Sequence, residues 1–379
     1  MKKNALLLTL ILLAAFSSEA KLRRVGFFAS PITGTDYSTF ALAYAAAVTG
    51  DTVLMFPNTS VSGTLSKKLI IIGPGNWLDP NSTPKGNANQ QAFPGEASIG
   101  SLILAIGSEG TVIQGFRDGN LFVATSDITI QRNRDVIVYI AYTNPAAAIT
   151  NLQVLQNYRV TISSYFTNAS SSTNMNISNN LIDYFSTSMG NTYSGTISNN
   201  VWAFDQTQAA NAANGGNSTM SGTNPIQLGA GAYLIQNNIF AGYTNAVGAS
   251  NNNYFYFANT GNSTFNYNLA LQAGSGQPQT FGISGSFNVI TPIANAANIF
   301  NAFPLIGTSS ADARYQLKAG SPALTAGAGG TPIGMYSGNY PYKLSTLPSI
   351  PSVYLLSSPQ GNNPSGSTIQ INVSTKGNN

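Results

Sequence analysis

Along most of this chain, apolar residues come in short groups set apart by asparagine and small polar residues. Ile177-Ser178-Asn179-Asn180-Leu181-Ile182, Ile197-Ser198-Asn199-Asn200-Val201-Trp202 and Ile235-Gln236-Asn237-Asn238-Ile239-Phe240 share one template: an apolar strand end, an amide corner and a second apolar pair. Phe265-Asn266-Tyr267-Asn268-Leu269 and Phe287-Asn288-Val289-Ile290 are weaker copies, and Ile128-Thr129-Ile130-Gln131-Arg132-Asn133 fits the template upstream. Asn180 to Asn200 and Asn268 to Asn288 are each 20 residues, whereas Asn200 to Asn238 is 38, the excess falling in a polar stretch around Gln206 to Gly222. A fixed unit with an insertion confined to one turn is the behaviour of stacked repeats. A β-sandwich would instead place strands every ~8–12 residues without this motif.

Asparagine suits such a corner for two reasons. It tolerates the left-handed backbone of a tight turn, and its amide holds both donor and acceptor, so asparagines on successive coils can form a hydrogen-bonded ladder. The flanking Ile, Val and Phe then point inward, coil above coil at about 4.8 Å. Ahead of the repeats, Asp36 to Gly50 predicts a short amphipathic helix, with Phe40, Leu42, Tyr44 and Val48 among alanines and Gly50 as its stop. Thr52 to Phe56 and Leu69 to Ile72 predict buried strands, broken by Pro57 and by Gly73-Pro74-Gly75.

These features resemble the right-handed parallel β-helix family, which shares its fold with the pectate lyases. The resemblance covers roughly Asp36 to Tyr336 and rests on the early helix, the Gly50-Asp51-Thr52-Val53 stretch, the amide corners and Ala319-Gly320-Ser321-Pro322-Ala323-Leu324. In related bacterial surface proteins this last motif closes the final coil. The fold class expected is therefore all-β, a right-handed parallel β-helix over residues 21–339, with the helix capping the first coil. A Pro-rich tail, 340–379, is expected to cover the last coil, because an open β-helix exposes strand edges. Within it Ser352 to Leu356 and Thr368 to Val373 suggest a small strand pair.

Composition narrows the chemistry. Lys2 and Lys3 precede an apolar run from Ala5 to Phe16, and Ser18 and Ala20 fit signal-peptidase cleavage before Lys21. Residues 1–20 are thus expected to be a signal peptide and the product to be exported, extracellular or at the cell surface, with the periplasm as the other compartment. No later run is apolar enough for a transmembrane segment. Hydrophobic residues make up 43% of the chain, enough for a real core, but charged residues only 7%, against 37 Gly and 43 Asn. A net charge of +4, about +3 after signal removal, is too weak and scattered for nucleic acid. With no His and no Cys, imidazole bases, thiol nucleophiles, disulfides and the usual zinc sites are all excluded.

The fold's lyases use Lys or Arg as base, often with carboxylate-bound Ca²⁺, and its hydrolases use clustered Asp. This chain has no Asp-Asp or Asp-x-Asp, and no Lys or Arg between Arg159 and Arg314; Asp183 and Asp205 are the acids of its middle. One charged pattern stands out. Gln114-Gly115-Phe116-Arg117-Asp118 and Gln131-Arg132-Asn133-Arg134-Asp135 are near copies 17 residues apart. If each fills one coil, Arg134 stacks on Arg117 and Asp135 on Asp118, with the carboxyl groups ~5 Å apart. These four are the candidate catalytic residues, and the two acids could hold Ca²⁺, although no ligand motif supports a cofactor. The alternative for the same four is an ion-pair ladder.

Aromatic residues form the second pattern. Trp202, Phe204, Tyr184, Phe185, Phe240 and Tyr243 follow the amide corners, and Tyr254 to Phe257 are four aromatics in a row. Facing outward, Trp202, Tyr254 and Tyr256 would be the candidate ligand-binding residues, offering a platform to sugar rings; facing inward, such residues are core. The expected function is an exported structural or adhesive protein whose partner is polysaccharide or a cell-surface glycan. The alternative is a polysaccharide lyase or glycoside hydrolase of the same fold.

Overall fold

The computed structural model describes residues 20–76, 95–140, 148–164, 171–187, 192–203, 226–228, 231–241, 257–258, 262–272, 285–292, 296–301, 311–357 and 372–377. Among them, two large sheets of thirteen and twelve strands account for most of the structure, and all strand pairs within these sheets are parallel. Successive strands alternate between the sheets. Val112–Gln114 and Thr129–Gln131 belong to the first, Arg117–Val123 and Arg134–Ile140 to the second. After three opening strands that all lie in the first sheet, most passages of the chain add a strand to each sheet. The stacked parallel strands are compatible with a parallel β-helix.

The apolar positions of the repeats face one another across the interior. In the first sheet Val53, Ile71, Ile113, Ile130, Val154, Ile177, Ile197, Ile235 and Phe265 stand in register as one column, and every one is buried. In the second sheet Leu102, Leu121, Val138, Ile162 and Phe185 do the same. Burying a Val, Ile or Leu side chain contributes ~1.5–3 kcal/mol, so these columns are the main support of the stack.

The corner between a first-sheet strand and the following second-sheet strand repeats with little change. From Gly115 onward its first residue is left-handed in coil after coil: Gly115, Arg132, Gln156, Asn179, Asn199, Asn237, Tyr267 and Phe287. The next residue is buried as far as Asn268 and half-buried at Asn288, and from Asn133 onward it is always asparagine: Asn157, Asn180, Asn200, Asn238, Asn268, Asn288. Each side-chain amide donates to the amide oxygen of the next, at 3.2, 2.9, 3.0, 3.0, 3.0 and 2.9 Å in order along the stack. Each also donates to a main-chain carbonyl, as Asn200 does to Ile177 at 2.9 Å. The expected ladder is therefore present, and it includes Asn157, which the sequence template did not pick out.

Three expectations need adjustment. The early helix is Phe40–Ala46, not Asp36 to Gly50. Thr39 is its N-cap and Ala47 is already extended. Asp36 and Tyr37 instead pair as strand with Arg24 and Val25, held by Arg24 Nε and Nη2 on the Asp36 carboxylate at 2.6 and 2.8 Å. Phe40 and Ala43 of the helix enter the main core. The late Ser321-Pro322-Ala323-Leu324 motif forms a 3-10 turn whose Ala323 is buried.

The third adjustment concerns the tail. Tyr340 to Ser349, expected over the last coil, run down the side of the stack against early coils. Gln156 donates to the Pro341 carbonyl at 2.7 Å, Arg132 to that of Leu347 at 3.3 Å and Gln114 to Ser349 Oγ at 3.0 Å. Just before them, Asn179 donates to the Met335 carbonyl at 3.0 Å, and the Gly334 amide donates to the Asn237 carbonyl at 2.9 Å. Residues 328–349 are thus a strap laid along the left-handed corner. The strap and the segment before it bury a second apolar cluster, in which Leu181, Val201, Ile239 and Leu269 meet Ile333, Met335 and Tyr342. Beyond the strap, Ser352–Ser357 pairs antiparallel with Asn372–Lys376. The expected Ile369 and Ile371 lie outside the described residues.

Candidate functional site

The near-copy segments do occupy adjacent coils, with Arg134 in register with Arg117. Asp118 and Asp135 follow them with left-handed backbones, φ 47° and 53°. What the register could not reveal is the set of neighbours. Glu96 bridges both arginines, with Oε2 3.0 Å from Arg117 and Oε1 3.0 Å from Arg134. Arg117 turns back to Asp118 at 3.2 Å and Arg134 to Asp135 at 2.9 Å. Arg159, one coil further, lies between Asp135 at 3.3 Å and Asp183 at 3.1 Å. The result is a seven-membered chain of alternating sign: Asp118, Arg117, Glu96, Arg134, Asp135, Arg159, Asp183.

This arrangement constrains the chemistry available. Burial opposes the charge on Arg134, but Asp135 and Glu96 outweigh it and hold the guanidinium above its ordinary value. At Arg159 burial is likewise outweighed, by Asp183 and Asp135. An arginine serving as base must give up its proton, and these two are shifted the other way. Asp135 is pushed up by burial, with Arg159 and Arg134 offsetting this only in part and Asp183 adding to it. Its two oxygens face Arg159 and Arg134, so neither faces a second carboxylate directly as a two-acid glycosidase site requires. Among the described residues no three acidic side chains gather as a metal site would need. Asp118 and Asp135 are each committed to arginine.

The aromatic candidates separate cleanly. Trp202 is buried, stacked on Phe240 at 5.5 Å and edge-on to Phe185 at 6.1 Å. It stands in register between Ile182 and Phe240 on the interior face, so its assignment as a ligand platform is corrected to core. Tyr254 and Tyr256 lie outside the described residues.

A different pair faces solvent. Tyr267 and Phe287 occupy the left-handed corner position of two successive coils, φ 55° and 60°, with rings stacked at 4.9 Å and 11° apart. Phe287 is 68% exposed. A bulky side chain at positive φ is a backbone outlier, and such residues cluster where a ligand is held. Beside the rings, Asn266 Oδ1 accepts from the Ser286 amide at 3.1 Å, and exposed Gly285 and Ser286 line the approach. In the earlier coils the same corner position, from Arg132 to Asn237, is gripped by the strap. The sequence did contain a signal for this pair: the two copies of the template in which an aromatic replaces the first corner residue.

No protein-family model matches the chain, and none of the curated proteins is significantly similar to it. Among the described residues, no helix is long and apolar enough to cross a membrane.

Proposed function

We propose that the chain is an exported right-handed parallel β-helix, closed at its first coil by the Phe40–Ala46 helix, acting as a structural or adhesive protein that contacts extracellular polysaccharide without cleaving it. The observation that carries this reading is the Tyr267–Phe287 stack, half-buried at Tyr267 and exposed at Phe287, at a corner position where bulky residues are disfavoured. An aromatic face flanked by amide and hydroxyl groups suits a sugar ring, which offers apolar C–H faces and a rim of hydroxyls. The alternating ion-pair chain supports the non-catalytic part, since Arg134 and Arg159 are held protonated and the acids beside them are paired. The same fold serves enzymes and inert stalks, so the function lies in the site and not in the architecture.

The test is a glycan array probed with the mature chain and with Phe287→Ala, alongside product assays on uronic-acid polymers. Binding that weakens in Phe287→Ala, with no products formed, is the expected result. Turnover abolished by Arg134→Ala would establish the lyase or hydrolase reading instead.

A further inference from the structure

Lys21 lies where the sequence places the new N-terminus after signal removal, and its main-chain nitrogen is not solvated in the ordinary way. It donates to Asp51 Oδ1 at 2.8 Å. Asp51 is fully buried. Its other oxygen accepts from Arg23 Nε at 2.7 Å and from the Val48 amide at 3.1 Å. Arg23 is itself buried and tied to Tyr37 Oη at 2.8 Å and to the Gly34 carbonyl at 3.3 Å. One residue on, the chain is committed to the sheet: the Lys21 carbonyl accepts from Thr52 at 2.9 Å, and Leu22 pairs with Thr52. Ala20 and Lys21 are both exposed.

We infer that cleavage between Ala20 and Lys21 delivers a positively charged α-amino group onto the Asp51 carboxylate, so that signal removal completes an ion pair which locks the first coil. The inference rests on the export reading above. In the cleavage the Ala20–Lys21 peptide bond breaks, water supplies OH to the Ala20 carbonyl and H to the Lys21 nitrogen, and the amine takes one further proton from solvent. An amide N–H to carboxylate contact thereby becomes an ammonium–carboxylate pair, a stronger, charge-assisted bond. Two independent features meet at one atom: small residues ending a leader before Lys21, and a buried carboxylate oxygen within hydrogen-bond reach of the Lys21 nitrogen. Asp51 is then flanked by a cation on each oxygen, the α-ammonium on Oδ1 and Arg23 on Oδ2. The charged and titratable groups around the new terminus are Asp51, Arg23, Tyr37 behind Arg23, and the Lys21 side chain.

The experiment compares the chain beginning at Lys21 with one that begins at Ala20, which moves the ammonium one residue away from Asp51. The α-amine is read by NMR after reductive ¹³C-methylation, and thermal midpoints are measured from pH 6 to pH 10. An ordinary α-amine titrates at ~7.7–8.0. In the Lys21 chain it should bind its proton at least tenfold more tightly than in the Ala20 chain, and the midpoint should be higher by ~2 °C at pH 7. Because pairing raises the folded-state value, that advantage is complete below the ordinary value and disappears as pH rises through the raised one. Asp51→Asn should return the amine to the ordinary range. Equal titration and equal midpoints in the two chains would overturn the pairing while leaving export intact. An exported protein whose mass places its N-terminus elsewhere would overturn the pairing alone, and a chain kept inside the cell with residues 1–20 still attached would overturn both.

Discussion

Two polar columns run from coil to coil in this molecule, and they solve the problem of stacking in opposite ways. The asparagine column from Asn133 to Asn288 repeats one residue type, in a dry environment as far as Asn268. The charged column uses three arginines and four acids near the surface. An amide stacks on its own kind because it carries donor and acceptor at once: Asn200 gives to Asn238 Oδ1 and the Ile177 carbonyl, and its own oxygen accepts from the Asn180 main chain and side chain. Every hydrogen-bonding position is filled. A charge cannot stack on its like, so the ionic column must alternate sign, and it recruits Glu96 from outside the near-copy segments to part Arg117 from Arg134. The comparison teaches that only the neutral column can be extended indefinitely by repetition.

If that is right, the largest effect should come from spoiling one buried rung. Asn200→Asp sets carboxylate oxygen against the Asn238 oxygen and the Ile177 carbonyl, and adds a buried charge; it should cost ~3–5 kcal/mol in equilibrium denaturation. Asn200→Ala strands the same neighbours without the charge and should cost about 3 kcal/mol. If both variants unfold like the parent, the ladder is not a main support of the stack.

The charged column should respond less, and unevenly. Arg134→Ala leaves Glu96 and Asp135 without their shared cation in a site where the Arg134 side chain is 15% exposed, a loss of about 2 kcal/mol. Arg117, with its side chain 46% exposed, should cost under about 1 kcal/mol on replacement by Ala, because exposed ion pairs contribute little. The ratio, read from denaturation midpoints with and without added salt, sharpens the comparison; equal losses at both positions would break it.

The smallest stability effect is expected at the exposed corner. Phe287→Asn restores the residue type that Asn237, Asn199 and Asn179 use at the same backbone angle, so stability should stay within about 0.5 kcal/mol of the parent. Glycan affinity should nevertheless fall roughly tenfold. A large destabilisation would mean that the aromatic stack belongs to the core and not to a binding surface.

Several of these features were legible from residue order. The double asparagines marked their corners, and the near-copy segments correctly set Arg134 over Arg117. Asn157 escaped because Gln156-Asn157 is followed by Tyr158-Arg159, which breaks the apolar half of the template; its 24-residue and 23-residue distances from Asn133 and Asn180 were the available signal. Glu96 was not legible, since it sits 38 residues before Arg134 with no local pattern pointing to it. The strap was equally hidden. Residues 328–349 have no periodicity, and several of their contacts with the corners are made by main-chain groups, which leave no mark on side-chain order.

What the sequence determined by itself was the repeating unit, its corner and the absence of imidazole and thiol chemistry, because those follow from composition and from spacing a few residues apart. Only the tertiary structure decided that Trp202 faces inward, that Tyr267 and Phe287 face outward, and that the tail descends along the side. Each of those outcomes depends on which groups meet across hundreds of residues, and a shift of a single position along a strand reverses the direction of every side chain on it.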